Sequence, residues 1–339
     1  MKKLTKLLAL LFLITSFVSI QISLSNAQPP LIDPYSFFHI IPNPDGSITR
    51  IKEFYPTVPP NTSSTIAFSR DVPLDPVKKT WVRLYLPNKS EHDFNLPIIV
   101  FAHGGGFIIL STATPSVDSF LSNTANKLNV LVVSVEYRLA PEHRLPAAYD
   151  DVLDALYWVK ENKDEWVSNY GDASRCILMG ESVGGNIAYN VGLRASVLTR
   201  ELQPLVIRGL VLIQPFFGGS NPNRVKYGNL QKMIDFLWHL SLPLGANLNN
   251  PYFNPMFGGG SRNLDNIKSL GWRIAIAGCD GDFIFDRQVE VFEFFKKQGV
   301  NVIRNFGKGF YHGVFIGNST KAQELYQFVR NVFSPYITW

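Results

Sequence analysis

Short apolar runs alternate with longer helical patterns along most of this chain, and this alternation strongly limits its possible folds. The runs are apolar at consecutive positions, which indicates strands covered on both faces of a sheet. Helical patterns between the runs supply that cover, so the sequence predicts an α/β fold with a doubly wound, mostly parallel sheet. The predicted strands are Trp81–Leu86, Pro97–Ala102, Val130–Val135, Cys176–Met179, Gly209–Ile213, Arg273–Ala277 and Val302–Asn305. The helical patterns include Ala147–Glu161, Gly184–Ser196, Arg287–Gln298 and Lys321–Phe333.

Two segments depart from the alternation. Residues 28–66 are rich in proline, asparagine and aromatic residues, and residues 219–258 carry the apolar helical pattern Leu230–Leu240 before a loop rich in Pro, Gly and Asn. Ligands of open α/β sheets bind outside the carboxyl ends of the strands. We therefore expect both segments to form a lid over a site in one domain that spans residues 28–339; a purely structural excursion is the alternative.

The first 27 residues have the composition of a secretory signal peptide. Lys2, Lys3 and Lys6 precede the apolar run Leu7–Ile20, and Ser25-Asn26-Ala27 is a small-x-small cleavage pattern. The run is shorter than the roughly 20 apolar residues of a bilayer span. We expect cleavage after residue 27 and a location in the secretory pathway: secreted to the apoplast, or retained in the ER or vacuole. An uncleaved anchor is the alternative, and only that would imply membrane contact.

Charge and cysteine content narrow the function classes. Residues 1–27 hold three lysines and no acid, so the remaining chain has 29 basic against 27 acidic residues, a net charge of +2. No basic run interleaves with aromatics, so no nucleic-acid partner is expected.

Cys176 and Cys279 lie in different predicted strands, which argues against a disulfide. Three sequons predict glycosylation at Asn61, Asn88 and Asn318.

The motif Gly180-Glu181-Ser182-Val183-Gly184 carries the clearest chemical signal. A buried strand precedes it and a helix follows, which is the context of a nucleophile elbow. Glycines flank the serine because a strained turn leaves no room for neighbouring Cβ atoms. The pattern predicts Ser182 as a nucleophile.

A second motif, His103-Gly104-Gly105-Gly106-Phe107, follows the strand Pro97–Ala102. Consecutive glycines allow backbone N–H groups to point into a concavity, as in an oxyanion hole. We expect the amides of Gly105, Gly106 and Val183 to be the donors, and Gly104 to shape the loop. His103 is interpreted as a histidine that braces this loop.

The general base is sought among six histidines. In this fold the catalytic residues follow the chain order Ser, acid, His, which selects His312 between the last strand and the last helix. The acid is expected after the strand Arg273–Ala277, where three aspartates compete. Asp286 is interpreted as the N-cap of a helix that begins at Arg287; spacing alone does not separate Asp280 from Asp282.

Five motifs in order resemble the plant carboxylesterases of the hormone-sensitive-lipase group. They are His103–Phe107, Tyr137–Glu142, Leu145–Asp151, Gly180–Asn186 and Gly309–Gly313. The resemblance implies an α/β-hydrolase fold over most of the chain from about residue 34. It also implies that the catalytic acid is the first residue of an Asp-x-x-x-Asp-Arg motif. In this chain that residue is Asp282.

Three departures from the family pattern bear on the site. The family's elbow usually reads Gly-Asp-Ser-Ala-Gly-Gly-Asn, whereas this chain has Glu181 and Val183. The valine is expected to add bulk beside the oxyanion site. Phe283 stands where the family often has proline, so the loop of the acid is expected to differ.

The resemblance implies a carboxylesterase with a Ser182–His312–Asp282 triad. Aromatic residues of the expected lid favour a small to medium apolar ester, such as an acylated plant metabolite; they include Phe236, Trp238, Tyr252 and Phe253. Phe107, Trp238, His239 and Tyr311 are expected to line the substrate pocket. No cofactor and no metal are predicted, because the histidines and cysteines lack ligand spacing. Two alternatives are a cyclase or lyase with the same residues, and a receptor like the gibberellin receptors, which lack the catalytic histidine.

Overall fold

The computed structural model describes residues 33–88, 95–219, 228–247, 249–257 and 264–337. The predicted signal peptide, residues 1–27, lies outside them. Within the described ranges, none of the helices combines the length and the apolar character needed to cross a membrane.

Eight strands form one mixed sheet in the order β10-β9-β8-β7-β5-β6-β4-β3, and β1 and β2 form a separate hairpin. Pairing from β10 through β6 is parallel, whereas β4 pairs with β6 and β3 in the antiparallel sense. The strands are β1 (Ile40–Pro42), β2 (Ile48–Arg50), β3 (Ala67–Asp75), β4 (Thr80–Pro87), β5 (Leu96–Ala102), β6 (Leu131–Glu136), β7 (Gly171–Glu181), β8 (Ile207–Ile213), β9 (Arg273–Cys279) and β10 (Asn301–Gly307).

Helices cover both faces of the large sheet. They are α1 (Pro34–Phe37), α2 (Pro115–Leu128), α3 (Ala147–Lys160), α4 (Glu165–Tyr170), α5 (Val183–Ala195), α6 (Gly228–Ser241), α7 (Leu264–Ser269), α8 (Phe285–Lys297), α9 (Val314–Gly317) and α10 (Ser319–Phe333), with a short 3₁₀ turn at Lys52–Phe54. Along β5, Ile98 and Val100 face the core that includes α3, α5 and α8, whereas Ile99 and Phe101 face the core built with α2 and α10. The predicted two-sided cover is confirmed.

All seven predicted strands belong to the large sheet. The edge strand β3 is the one strand of that sheet that was not predicted from the sequence. Only Ala67 and Ser69 are buried in it, and its other residues are partly or fully exposed. It therefore lacks a continuous apolar run. Its polar side chains form ion pairs instead: Asp71 binds the buried guanidinium of Arg83, and Arg70 binds Asp164.

Both cysteines are free and buried, as predicted. Burial raises the pKa of the Cys176 thiol to about 12 and that of Cys279 to about 11. Neither is a thiolate at neutral pH, so we assign both to packing.

The two segments that were expected to form a lid contact each other. The Phe38 ring, just after α1, stacks on Phe236 of α6 with 6.0 Å between centroids, and Tyr35 meets Phe236 edge-on. The N-terminal segment of residues 28–66, called the arm below, is also joined to the loop after β6, because Arg50 forms a 2.8 Å ion pair with Glu142.

Candidate active site

Ser182 lies in a tight turn between the end of β7 and the start of α5. Its backbone has φ 56° and ψ −120°, a conformation that a residue with a side chain adopts only under constraint. A Cβ on Gly180 would lie 2.1 Å from the Gly184 oxygen, and one on Gly184 would lie 2.0 Å from the Ala102 oxygen. Both flanking glycines are required by this close approach of backbone segments, as the motif predicted.

His312 joins Ser182 to Asp282. Its Nε2 lies 2.8 Å from Ser182 Oγ, and its Nδ1 lies 2.9 Å from Asp282 Oδ2. Ser182 and Asp282 are buried, and the His312 side chain is 11% exposed. The three side chains come from loops at the carboxyl ends of the strands, where the fold is expected to hold its site.

The aspartates of the loop after β9 have different surroundings. Asp280 is exposed and accepts a hydrogen bond from the Gly309 amide, away from the His312 ring. Asp286 is not the predicted N-cap: α8 begins at Phe285, so Asp286 lies inside its first turn. The helix starts two residues earlier than its apolar pattern indicated, and Ile284 occupies the N-cap position.

Two glutamines that sequence reasoning missed hold Asp282. Gln214 and Gln288 donate from Nε2 to Asp282 Oδ2 at 2.9 and 2.8 Å, and the Ile284 amide donates to Oδ1 at 3.0 Å. Gln214 also accepts from the Gly313 amide at 2.8 Å, beside His312. Both glutamine side chains are fully buried. No motif marks them, because their role depends on contacts between segments distant in the chain.

The glycine loop presents backbone amides beside Ser182. Gly105 and Gly106 have φ of +108° and +63°, and both line the cavity that contains Ser182. Among the described residues, their N–H groups and that of Val183 meet no hydrogen-bond acceptor. Val183 is the first residue of α5, where backbone amides lack partners within the helix. The three amides are therefore available to a ligand.

Gly104 differs from its two neighbours. It does not line the cavity, and its backbone is not in the left-handed region. A Cβ on Gly104 would lie 2.1 Å from Glu181 Oε2, so the glycine leaves space for that carboxyl. Its carbonyl accepts from the His103 ring, Nδ1 to O 2.7 Å, and His103 stacks on Tyr137 at 4.3 Å. This places His103 against the loop, where a bracing role was predicted.

The cavity at Ser182 has a volume of about 180 Å³ and is open to solvent on one side. The arm contributes Phe38, Phe54 and Pro56 to its wall, and α6 contributes Leu237. Its remaining apolar lining includes Ile109, Leu110, Val117, Phe216, Phe283 and Ile316.

The four predicted pocket residues do not line this cavity. Trp238 is buried behind Phe216, with 5.3 Å between the ring centroids, and Phe107 packs against Trp238. His239 is exposed on another side of α6, because successive helical residues point about 100° apart. Tyr311 packs on the core of the opposite sheet face. The prediction is corrected: α6 reaches the cavity through Leu237.

Two departures from the family pattern have clear structural positions. The Val183 side chain is fully buried in the core beneath α5, so the predicted bulk does not enter the cavity. Phe283 lines the cavity and packs on His312, with ring centroids 5.0 Å apart.

Glu181 brings a second carboxyl to the cavity. Its side chain is 9% exposed, and Oε1 lies 4.0 Å from His312 Nε2. Burial raises the pKa of Glu181 to about 7, the His312 charge opposes this rise, and the Asp282 charge adds to it. Burial would lower the pKa of His312, but the charge and hydrogen bond of Asp282, together with Glu181, raise it above its ordinary value.

A strained serine hydrogen-bonded to a histidine, beside free backbone amides on this sheet, defines a serine hydrolase of the α/β-hydrolase fold. Residues 99–316 match the family model described as alpha/beta hydrolase fold. The chain belongs to this family and, within it, to the plant carboxylesterases of the hormone-sensitive-lipase group. It is a carboxylic ester hydrolase.

Two relatives illustrate the similarity. Carboxylesterase 20 of Arabidopsis thaliana is 42% identical over 90% of this chain and 98% of its own length. The 3-O-acetylpapaveroxine carboxylesterase CXE1 of Papaver somniferum is 37% identical over 84% and 92%.

Solved structures are also similar. The Pyrobaculum calidifontis esterase is 25% identical, with a TM-score of 0.66 over 82% of this chain and 88% of its own. The Rhizomucor miehei esterase has a TM-score of 0.68 over 95% and 97%; at 19% identity it shows the shared fold.

Proposed function

We propose that the protein hydrolyses small to medium apolar carboxylic esters, such as acylated plant metabolites, through Ser182, His312 and Asp282. The single observation that carries the proposal is the chain of two hydrogen bonds, 2.8 and 2.9 Å long, from Ser182 Oγ through His312 to Asp282. The apolar wall of the cavity favours an apolar substrate.

Acylation begins when His312 Nε2 takes the proton of Ser182 and Oγ attacks the ester carbonyl carbon. Asp282, held by Gln214 and Gln288, keeps the Nδ1 proton in place and stabilises the imidazolium. The amides of Gly105, Gly106 and Val183 bind the oxyanion of the tetrahedral intermediate. His312 then protonates the leaving alcohol, and the acyl group stays on Ser182.

Deacylation repeats these steps with water. His312 takes a proton from the water, whose oxygen attacks the acyl carbonyl, and the imidazolium returns that proton to Ser182 Oγ as the acid leaves. The net reaction adds one water to the ester. A cyclase with the same residues would release a product without added water.

Replacement of the nucleophile tests the proposal. Ser182→Ala should lower kcat for p-nitrophenyl acetate by on the order of a millionfold, because attack and proton transfer are both lost. A fluorophosphonate probe should label the wild-type protein at Ser182 and leave the variant unlabelled. Undiminished turnover by the variant, or products lacking the added water, would overturn the proposal.

We further propose that the protein is a glycoprotein of the secretory pathway. Asn61 is exposed, and the side chains of Asn88 and Asn318 are partly exposed. Treatment of the plant-expressed protein with an N-glycosidase should increase its electrophoretic mobility. An unchanged mobility, together with an uncleaved N-terminus, would contradict this proposal.

A further inference from the structure

The Glu181 carboxyl has no hydrogen-bond donor among the described residues. His312 Nε2 is 4.0 Å from Glu181 Oε1 and lies 2.8 Å from the Ser182 hydroxyl. Asp282, whose side chain is fully buried, accepts four hydrogen bonds from Gln214, Gln288, Ile284 and His312. A buried carboxyl without donors is held partly in its neutral form by its raised pKa, and a ligand that supplies a positive charge or a donor stabilises the carboxylate.

The surroundings of Glu181 suit one kind of ligand. No lysine or arginine of the described chain lines the cavity, so its wall offers no cation to this carboxyl. Phenylalanine rings line much of the same wall, and aromatic faces attract ammonium groups. The aromatic lining residues are Phe38, Phe54, Phe216 and Phe283. One carboxylate and several aromatic rings together form a site for a positively charged nitrogen.

We propose that Glu181 makes the cavity select esters that carry a positively charged nitrogen over neutral esters of the same shape. This inference rests on the proposed ester hydrolysis at Ser182. Glu181 immediately precedes Ser182, so a nitrogen that pairs with the carboxyl is held within a short distance of the scissile ester. Gly104 is part of the arrangement, because any larger residue there would occupy the position of the carboxyl.

Two pairs of isosteric esters test this selection on both sides of the ester bond. The alcohol-side pair is the acetate of choline and that of 3,3-dimethylbutan-1-ol. The acyl-side pair is p-nitrophenyl 4-(trimethylammonio)butanoate and p-nitrophenyl 5,5-dimethylhexanoate. In at least one pair, wild-type kcat/KM should favour the cation by about tenfold or more. Glu181→Gln should bring that ratio to within about twofold of unity, because charge is lost while shape is kept.

Matched variants separate the role of Glu181 from a general effect of charge. Glu181→Asp keeps the charge on a shorter side chain, so its ratio should lie between those of the wild type and Glu181→Gln. Glu136 is a partly buried carboxyl, but it is hydrogen-bonded to Ser111 and Thr112 and does not line the cavity. Glu136→Gln should therefore retain the wild-type ratio.

The outcomes are distinguishable from failure of the proposed function. Equal ratios in the wild type and Glu181→Gln, with neutral esters still hydrolysed, would overturn this inference and leave the esterase proposal intact. Equal loss of selectivity in Glu136→Gln would also overturn it. Failure of every ester, together with failure of the fluorophosphonate to label Ser182, would overturn the esterase proposal itself.

Discussion

Two carboxyl groups flank the His312 imidazole, and their surroundings differ completely. Asp282, in the loop after β9, accepts hydrogen bonds from two buried glutamines and a backbone amide as well as from His312. Glu181, at the end of β7, has no donor among the described residues, and burial raises its pKa to about 7. The same chemical group therefore takes two roles: one carboxylate is fully held by the protein, and the other is available to a ligand.

Among the variants compared here, replacement of Asp282 is expected to lower kcat the most. Asp282→Asn should lower kcat for p-nitrophenyl acetate by roughly 10⁴-fold, because an amide stabilises the wrong His312 tautomer and not the imidazolium. Asp280→Asn is the matched control, since Asp280 is exposed and does not contact the ring. It should change kcat by less than about twofold. Equal losses in both variants would remove the distinction between these aspartates.

The glutamines should have the next largest effect. Gln288→Met removes one donor to Asp282 at similar volume, and a hydrogen bond to a charged group is worth about 1.5–3 kcal/mol. We expect a loss of about 10- to 100-fold in kcat with a folded protein, measured by steady-state kinetics and circular dichroism. Gln231→Met on α6, away from the triad, is the control. Wild-type kcat in Gln288→Met would show that Asp282 does not depend on this support.

Replacement of Gly104 tests the close packing between this glycine and the Glu181 carboxyl. Gly104→Ala places a Cβ 2.1 Å from Glu181 Oε2, so the carboxyl or the glycine loop must move. We expect kcat/KM for a neutral ester to fall by about tenfold, since small shifts of oxyanion donors are costly. In the Glu181→Ala background, where the clashing carboxyl is absent, Gly104→Ala should lower kcat/KM much less than it does in the wild type. An additive loss would mean that the two residues act separately.

The smallest effect concerns pH. His312 must be neutral to accept the serine proton, and Asp282 and Glu181 both raise its pKa above the ordinary value although burial opposes this. Glu181→Gln removes one of these charges, so the pKa of His312 should fall. The acid limb of kcat/KM against pH for a neutral ester should then move to lower pH. A limb that stays in place or moves upward would contradict the interaction of Glu181 with the ring.

Much of the site could be predicted because its signals are local. The elbow motif and the glycine loop each need a particular backbone conformation, and that requirement leaves a mark in consecutive residues, as at Gly180, Gly184 and Gly105. Asp282 needed family resemblance, because Asp280 stands two residues away in the same loop. The pocket residues were predicted wrongly, because the helix α6 was expected to present Trp238 and His239 where it presents Leu237.

The sequence by itself determined the α/β alternation, the strained serine between strand and helix, the order of Ser182, an acid after β9 and His312, and the position of the donor loop. Each of these depends on short-range patterns of apolar residues, glycines and motif spacing. Only the tertiary structure decided which partners the two carboxyls have. Gln214 follows β8 and Gln288 lies in α8, and both reach Asp282. Glu181, at the end of β7, meets Gly104 in the loop after β5. Contacts between such distant segments leave no local pattern.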